Sequence, residues 1–315
     1  MIKTETLDNL LENFIENIPE LTAALIVDVD GLIIAQKSIK GFDEEIIGAI
    51  MAILDQTMNK VKRFAETSFG SGTLDTNEFR LFYLELGGDV PALFVLVADP
   101  YSDIDKYIPY SYLVAEKVSL ALYDREIDTA LPKLLEDGTL RFNSHNSDSG
   151  SVKNVLVIGS SQVGKTTLTR LYTKQKFTEM YKPTIGISIA EKELQITQQI
   201  KSTLYLFDMG GLKTFAKIRK YFYQKLDAKT IMIVFDYTKE ATLNDVSDWF
   251  DEANLFNKES DVNYILVGNK VDLIDDAGHM RTRAEEIAMK HNCQFFETSA
   301  QTGQGIDELF MNIAF

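Results

Sequence analysis

The chain opens on an amphipathic helical pattern. Leu7, Leu10, Leu11, Phe14, Ile15 and Ile18 recur at steps of three and four, with acidic residues between them. Leu21 to Asp28 is almost continuously apolar and predicts a buried strand. Asp28-Val29-Asp30-Gly31 supplies a turn, with Gly31 available for positive φ, and Leu32 to Gln36 predicts the returning strand. From Asp43 to Glu66 a longer stripe predicts a second helix: Ile46, Ile47, Ile50, Met51, Leu54, Met58, Val61 and Phe64. Glu78 to Leu86 and Ala92 to Ala98 predict strands around a turn at Gly87-Gly88-Asp89, and Ile104 to Tyr123 a final helix. The first 125 residues thus read as helix, two strands, long helix, at least two strands, helix.

The pattern then breaks. Asn143 to Ser151 contains no apolar side chain and predicts a flexible linker. Just before it, Leu131, Leu134 and Leu135 surround Pro132 and predict a short helix packed on one of the domains. The expected division is residues 1–125, a linker over 126–151, and a second domain over 152–315. A length of 315 residues fits two domains.

Charge follows the same division. Residues 1–130 carry 23 Asp/Glu against 10 Lys/Arg, a net of −13, whereas residues 151–315 carry 21 against 20. Phosphate repels such an acidic half, so no nucleic-acid partner is expected there. A single cysteine, Cys293, excludes an intrachain disulfide and points to a reducing, cytoplasmic setting. No apolar run approaches the roughly 18 residues of a membrane span. The termini show no secretory or lipidation pattern, so no direct membrane anchor is expected.

Candidate chemistry lies in the second half. Lys153 to Gly159 predicts a strand that runs into Gly159-Ser160-Ser161-Gln162-Val163-Gly164-Lys165-Thr166-Thr167, and Leu168, Leu171 and Tyr172 continue as a helix. That is a P-loop in its strand–loop–helix setting. Its glycines let backbone N–H groups curl round phosphate oxygens at a helix N-terminus. Lys165 would reach the β- and γ-phosphates and the Thr166 hydroxyl would hold Mg²⁺. After a strand at Thr203 to Phe207, Asp208 can hold Mg²⁺ through water, and Gly211 can offer its N–H to a γ-phosphate. After a strand at Tyr264 to Val267 stands Asn269-Lys270-Val271-Asp272. The Asp272 carboxylate can accept both N1–H and N2–H of guanine, a donor pair adenine lacks, and the Lys270 stem can cover the base. After a strand at Gln294 to Glu297, the backbone of Ser299-Ala300-Gln301 can meet guanine O6.

Four such motifs in this order resemble the Ras superfamily of small GTPases over residues 151–315, Rab most in the first part. The resemblance implies an α/β fold, a six-stranded mostly parallel sheet with helices on both faces, binding GTP or GDP with Mg²⁺. Tyr181 to Gly186 is then similar to switch I, with Thr184 on Mg²⁺ and the γ-phosphate, and Asp208 begins switch II. Phe177 matches the aromatic packed edge-on to guanine, ordinary core being its alternative. Lys165, Thr184 and Gly211 would carry the catalytic contacts, and Thr166, Thr184 and Asp208 the metal. Two positions depart from the pattern. Leu212 stands where the family places the glutamine that orients the attacking water, and Met209-Gly210 replaces the Thr-Ala of Rab proteins. After switch II, Lys213, Lys217, Arg219, Lys220, Lys225 and Lys229 make a basic run, read as a solvated helix face or as a docking surface.

In the first half, the phrase Ala24 to Ala35 after an amphipathic helix resembles the roadblock family, with profilin-like and longin-like domains as alternatives. That resemblance implies an α+β domain with a five-stranded antiparallel sheet, and dimerisation with itself or with other roadblock-like proteins. The combined expectation is a slow GTPase switch on a dimerising domain, with an effector, an exchange factor and a GTPase-activating protein as partners. The alternative is a GTP-locked scaffold that acts by binding.

Overall fold

The computed structural model describes residues 4–65, 70–87, 90–142, 150–173, 183–195, 201–258, 261–275 and 278–314. The chain divides into two compact units, Met1–Asn143 and Ser144–Phe315. All elements and contacts given for the chain lie within these residues.

The first unit runs α1 (Thr4–Glu16), β1 (Leu21–Asp28), β2 (Ile33–Ser38), α2 (Glu44–Ala65), β3 (Ser71–Asp75), β4 (Arg80–Glu85), β5 (Ala92–Ala98) and α3 (Ile108–Leu122). Its five strands form one sheet in the order β2-β1-β5-β4-β3, with every neighbouring pair antiparallel. Strand alternation sends Ala23, Leu25, Val27, Leu81, Tyr83, Leu93, Val95 and Val97 to one face, where Ile47 and Met51 of α2 meet them. The other face is closed by α1 and α3. Phe14 lies 5.5 Å from Phe94 and 5.6 Å from Tyr110, ring centre to ring centre.

The turn after β1 works as its sequence suggests. The Asp28 carboxylate accepts from the N–H groups of Asp30 and Leu32, and Gly31 takes φ +89°. A Cβ on Gly31 would stand 2.5 Å from the carbonyl oxygen of Gly48, so the turn packs directly on α2. Strand β3 has no counterpart in the sequence reading. Its Ser-Gly-Thr-Leu-Asp composition resembles a loop, and as an edge strand it alternates between exposed and half-buried positions.

The short helix expected around Pro132 is not formed. Residues 128–132 form neither helix nor strand and are fixed by side chains: Asn13 donates to the Thr129 carbonyl, Lys117 to those of Asp128 and Ala130, and the Tyr110 hydroxyl to that of Pro132. β6 (Lys133–Leu134) then pairs antiparallel with β7 (Leu140–Arg141). Pro132 cannot donate within a helix, and Asp137-Gly138 supplies the hairpin turn, with Gly138 at φ +82°.

The second unit runs β8 (Gly150–Ile158), α4 (Lys165–Tyr172), β9 (Ile187–Gln195), β10 (Lys201–Met209), α5 (Ala216–Lys225), β11 (Thr230–Asp236), α6 (Glu240–Asn244), α7 (Val246–Phe256), β12 (Asn263–Asn269), α8 (Gly278–Lys290), β13 (Gln294–Thr298) and α9 (Ile306–Ala314). The sheet order is β13-β12-β11-β8-β10-β9. All pairs are parallel except β10 with β9. Val155, Val157, Leu204, Leu206, Met232, Val234, Ile265 and Val267 pack against Leu168 of α4 and Leu309, Phe310 and Ile313 of α9. Alternating residues such as Leu156 and Ile233 face the other way, toward the layer of α5, α7 and α8. The C-terminal ends of β8, β10, β11, β12 and β13 lie along one rim; the phosphate loop, Asp208 to Gly211, Asn269 to Asp272 and Ser299 to Gln301 each follow one of those ends, and Thr184 and Gly186 precede β9.

Candidate nucleotide site

The loop after β8 is shaped by two glycines. Gly159 has φ +137° and a Cβ there would strike the Val234 carbonyl at 2.2 Å; Gly164 has φ +98° and would strike Asn269 Nδ2 at 2.3 Å. Neither position tolerates a side chain, so the loop curls closely over β11 and β12. Between them Val163 is fully buried, Ser161 is half-buried and Gln162 is exposed. Gly164 caps α4, whose first N–H groups lack partners inside the helix.

Lys165 starts that helix and turns back under the loop. Its Nζ donates to the carbonyls of Gly159 and Ser160, both at 2.8 Å. Burial pulls its ammonium down to about 8, with Asp208 opposing the shift and Arg219 adding to it. A buried cation so disfavoured is matched to an incoming anion.

Three oxygens converge beside it. The Thr166 hydroxyl donates to Asp208 Oδ2, Thr184 Oγ1 lies 3.0 Å from Thr166 Oγ1, and Thr184 also reaches Asp208 Oδ2 at 3.3 Å. One carboxylate with two hydroxyls suits Mg²⁺, which takes few protein ligands and completes its shell with phosphate and water. Asp208 and Thr184 are buried. The residues present therefore fit the ion.

The two switch segments meet behind this cluster. The Gly210 N–H donates to the Gly186 carbonyl at 2.8 Å. A Cβ on Gly211 would fall 2.5 Å from the Gly159 carbonyl oxygen, so its backbone lies against the phosphate loop. Leu212 is half-buried. Phe177, Tyr181 and Lys182 lie outside the described residues.

At the other end of the loop, Asn269 acts as a tie rather than as an exposed ligand. It is buried, its Nδ2 donates to the Val163 carbonyl at 2.9 Å, and its Oδ1 accepts from Thr298 Oγ1 and the Ala300 N–H, each at 3.2 Å. Lys270, at φ +68°, donates to the Gln162 carbonyl and to Asp236 Oδ2. Asp272 is exposed on the turn that follows. Ser299 is buried, and its hydroxyl accepts from the N–H groups of Gln301 and Thr302. The structure thus brings together Gly159 to Thr167, Thr184, Asp208, Gly211, Asn269 to Asp272 and Ser299 to Gln301.

Several participants were invisible in the sequence. Asp236 neutralises Lys270 from the end of β11 with a fully buried side chain. A carboxylate at a strand end was its only signal. Arg219 corrects the reading of the basic run: it is not solvated but 2% exposed. It pairs with Glu252 and lies 4.8 Å from the Trp249 ring. Lys213, Lys217, Lys220 and Lys229 are exposed as expected. Cation-π stacking and a half-buried carboxylate partner are set by α7, which nothing near Arg219 in sequence announces.

Comparison with known families agrees with this geometry. The Ras family profile matches residues 154–315, and the Roadblock/LC7 domain profile matches residues 7–86. The chain is similar to Ras-related protein Rab7 of Pisum sativum, 32% identical over 168 residues, covering 51% of this chain and 79% of the relative. It is similar to Ras-related protein RABG3f of Arabidopsis thaliana, 33% identical over 168 residues, with the same coverage. Ras-related protein Rab-27B of Homo sapiens is 33% identical over 165 residues, covering 49% of this chain and 74% of the relative.

Proposed function

Because the chain belongs to the Ras family of small GTPases and carries a Roadblock/LC7 domain ahead of the GTPase domain, we propose that it is a guanine-nucleotide switch whose intrinsic hydrolysis is slow and whose N-terminal domain pairs two copies. The observation that carries the reading is the convergence of Thr166, Thr184 and Asp208 beside Lys165.

In this reading Lys165 exchanges its two backbone acceptors for β- and γ-phosphoryl oxygens. Thr166, Thr184 and Asp208 hold Mg²⁺, which neutralises charge on the phosphate chain when bound. Gly211 offers its N–H to the γ-phosphate, so switch II follows the nucleotide state. Asp272 reads guanine, with the Lys270 stem over the base and the Ser299 to Gln301 backbone at O6. Phe177 is assigned to the guanine edge by its motif alone.

Slow turnover follows from Leu212. Hydrolysis needs the water in line and the charge on the γ-phosphoryl stabilised. Lys165 and the metal set serve the second need. A leucine side chain neither donates nor accepts a hydrogen bond, so it cannot serve the first. The same residue favours a second reading, a scaffold held in its GTP form, to be separated from the first by whether a partner restores hydrolysis.

Pairing of two copies is supported by α2. Ile47 and Met51 close the sheet, but Ile53 is 64% and Phe64 90% exposed, with Ile46 and Val61 on the same outer side. Such a row of large apolar groups suits a protein surface. Among the described residues no helix is long and apolar enough to cross a membrane. The deciding experiment is single-turnover hydrolysis by the full chain with Mg²⁺ and with EDTA. Mg²⁺-dependent, guanine-selective binding with slow turnover is expected; equal binding of ATP and GTP refutes the proposal.

A further inference from the structure

Gln162 is out of place by backbone chemistry. It has φ +68° in a loop whose other positive-φ positions, Gly159 and Gly164, are glycine. Any residue with a Cβ is disfavoured in that conformation, and glycine would adopt it freely. Its side chain therefore calls for an explanation beyond the turn.

That side chain points at a lysine from another loop. Lys239 Nζ donates to Gln162 Oε1 at 3.1 Å across 77 residues of sequence. The root of Lys239 is well held. Its N–H donates to the Asp236 carbonyl, and its own carbonyl accepts from the N–H and the hydroxyl of Thr242. Gln162 is held from the other side as well, because its carbonyl accepts from Lys270 Nζ at 2.9 Å.

The two ammonium groups differ in their countercharges. Asp236 lies 2.5 Å from Lys270 Nζ and neutralises it. Among the described residues no carboxylate pairs with Lys239, and an amide oxygen satisfies only one of its three N–H bonds. An exposed cation is thus fixed beside the phosphate loop with two donors to spare. It stands at the Lys270 and Asp236 end of the loop, not beside Thr166, Thr184 and Asp208.

We propose that Lys239, carried by Gln162, is a strap over the outer rim of the phosphate loop that holds the polyphosphate of a bound guanine nucleotide and slows its release. The strap rests on the reading of the site as a guanine-nucleotide site. Its position away from the γ-phosphate cluster means that GDP and GTP are retained alike. The strained Gln162 backbone is kept because the amide aims the amine.

The test is release of a fluorescent GDP analogue from the full chain in Mg²⁺, chased with unlabelled GDP, and repeated with a labelled non-hydrolysable GTP analogue. Lys239→Ala removes the amine and leaves the backbone contacts to Asp236 and Thr242. It is expected to speed release of both labels about five- to tenfold, the scale of one partly exposed charge-assisted hydrogen bond. Gln162→Ala, which keeps the Cβ and deletes the amide, is expected to do the same. The double variant is expected to be no faster than Lys239→Ala, since both act through one strap. Thermal unfolding of the nucleotide-free variants, unchanged from wild type, separates lost retention from lost folding. Release by Lys239→Ala within twofold of wild type overturns the strap, as do effects that multiply in the double variant. A wild-type chain that takes up no label overturns the guanine reading itself, and the strap with it.

Discussion

Arg219 grips Leu212 by its backbone: Nη1 donates to the Leu212 carbonyl at 2.8 Å, and the same nitrogen reaches the Gly210 carbonyl at 2.8 Å. The two carbonyls flank Gly211, the residue assigned to the γ-phosphate. On the far side of the guanidinium, Nε and Nη2 make a bidentate pair with Glu252 of α7 at 2.7 and 2.9 Å. The Trp249 ring beneath it donates from Nε1 to Ser160 in the phosphate loop at 3.2 Å. Switch II, α7 and the phosphate loop therefore share one buried guanidinium.

Removing it strands both Glu252 and two carbonyls. Arg219→Ala is expected to lower stability by about 2 kcal/mol, since it leaves two carbonyls without their donor and a half-buried carboxylate without its countercharge. Arg219→Ala with Glu252→Leu should recover part of that loss. Urea unfolding monitored through Trp249 fluorescence gives both values. A loss below about 0.5 kcal/mol would match a surface ion pair and contradict the burial.

Guanine selection is assigned to Asp272. Asp272→Asn should weaken GTP binding by about 1.5–3 kcal/mol, the worth of hydrogen bonds to a charged acceptor, and shift preference toward xanthine nucleotides. Calorimetric titration with GTP and XTP reads both. Unaltered GTP affinity in the variant would remove Asp272 from the base site.

Leu212→Gln restores a group able to orient water. Single-turnover hydrolysis should rise about tenfold, near 1.4 kcal/mol of barrier, with little change in GTP affinity. That split follows because the residue acts in the transition state rather than in ground-state binding. An unchanged rate in a wild type that already turns over as fast as ordinary relatives would mean another side chain places the water, with Ser161 of the loop and the basic residues after Leu212 as the candidates.

The outer side of α2 makes oligomeric state a direct readout. Wild-type chain at micromolar concentration should scatter light as a dimer, and Ile53→Glu should scatter as a monomer without losing its fold. Ile53 is mostly exposed, so the substitution leaves the Ile47 and Met51 contacts intact. A monomeric wild type would exclude pairing through this helix.

Cys293 offers a pH test. Burial pushes its thiol up to about 11, a backbone hydrogen bond at Leu266 opposing the shift. The neutral thiol therefore dominates below that value, and only the thiolate reacts. Alkylation by iodoacetamide should be slow at pH 7.5 and speed up about tenfold per pH unit toward pH 10. Rapid labelling at neutral pH would place the sulfur in a different environment.

What could be read without coordinates was local. The glycines at 159, 164 and 211, Lys165 and Thr166 beside them, and Asn269 to Asp272 are defined by spacing along the chain, because a loop that cradles phosphate is built from consecutive residues. The stripes of α1 and α2 and the apolar runs of β1, β5, β10 and β12 were equally legible, since amphipathic period and continuous burial leave direct marks. The edge strand β3 and the β6–β7 hairpin were not. A strand exposed on its edge carries little apolar signal, and the irregular segment ahead of the hairpin is held by distant side chains such as Asn13, Tyr110 and Lys117.

The sequence by itself determined the nucleotide chemistry: which groups could meet phosphate, magnesium and guanine, and in what order they follow the strands. Only the tertiary structure decided which group each charge meets. Asp236 reaches Lys270 across 34 residues, Glu252 reaches Arg219 across 33, and Lys239 reaches Gln162 across 77. The Asp236–Lys270 and Lys239–Gln162 contacts depend on parallel strands bringing separate loops to one rim, and the Glu252–Arg219 pair on α5 packing beside α7; neither residue of a pair carries a local mark of its partner.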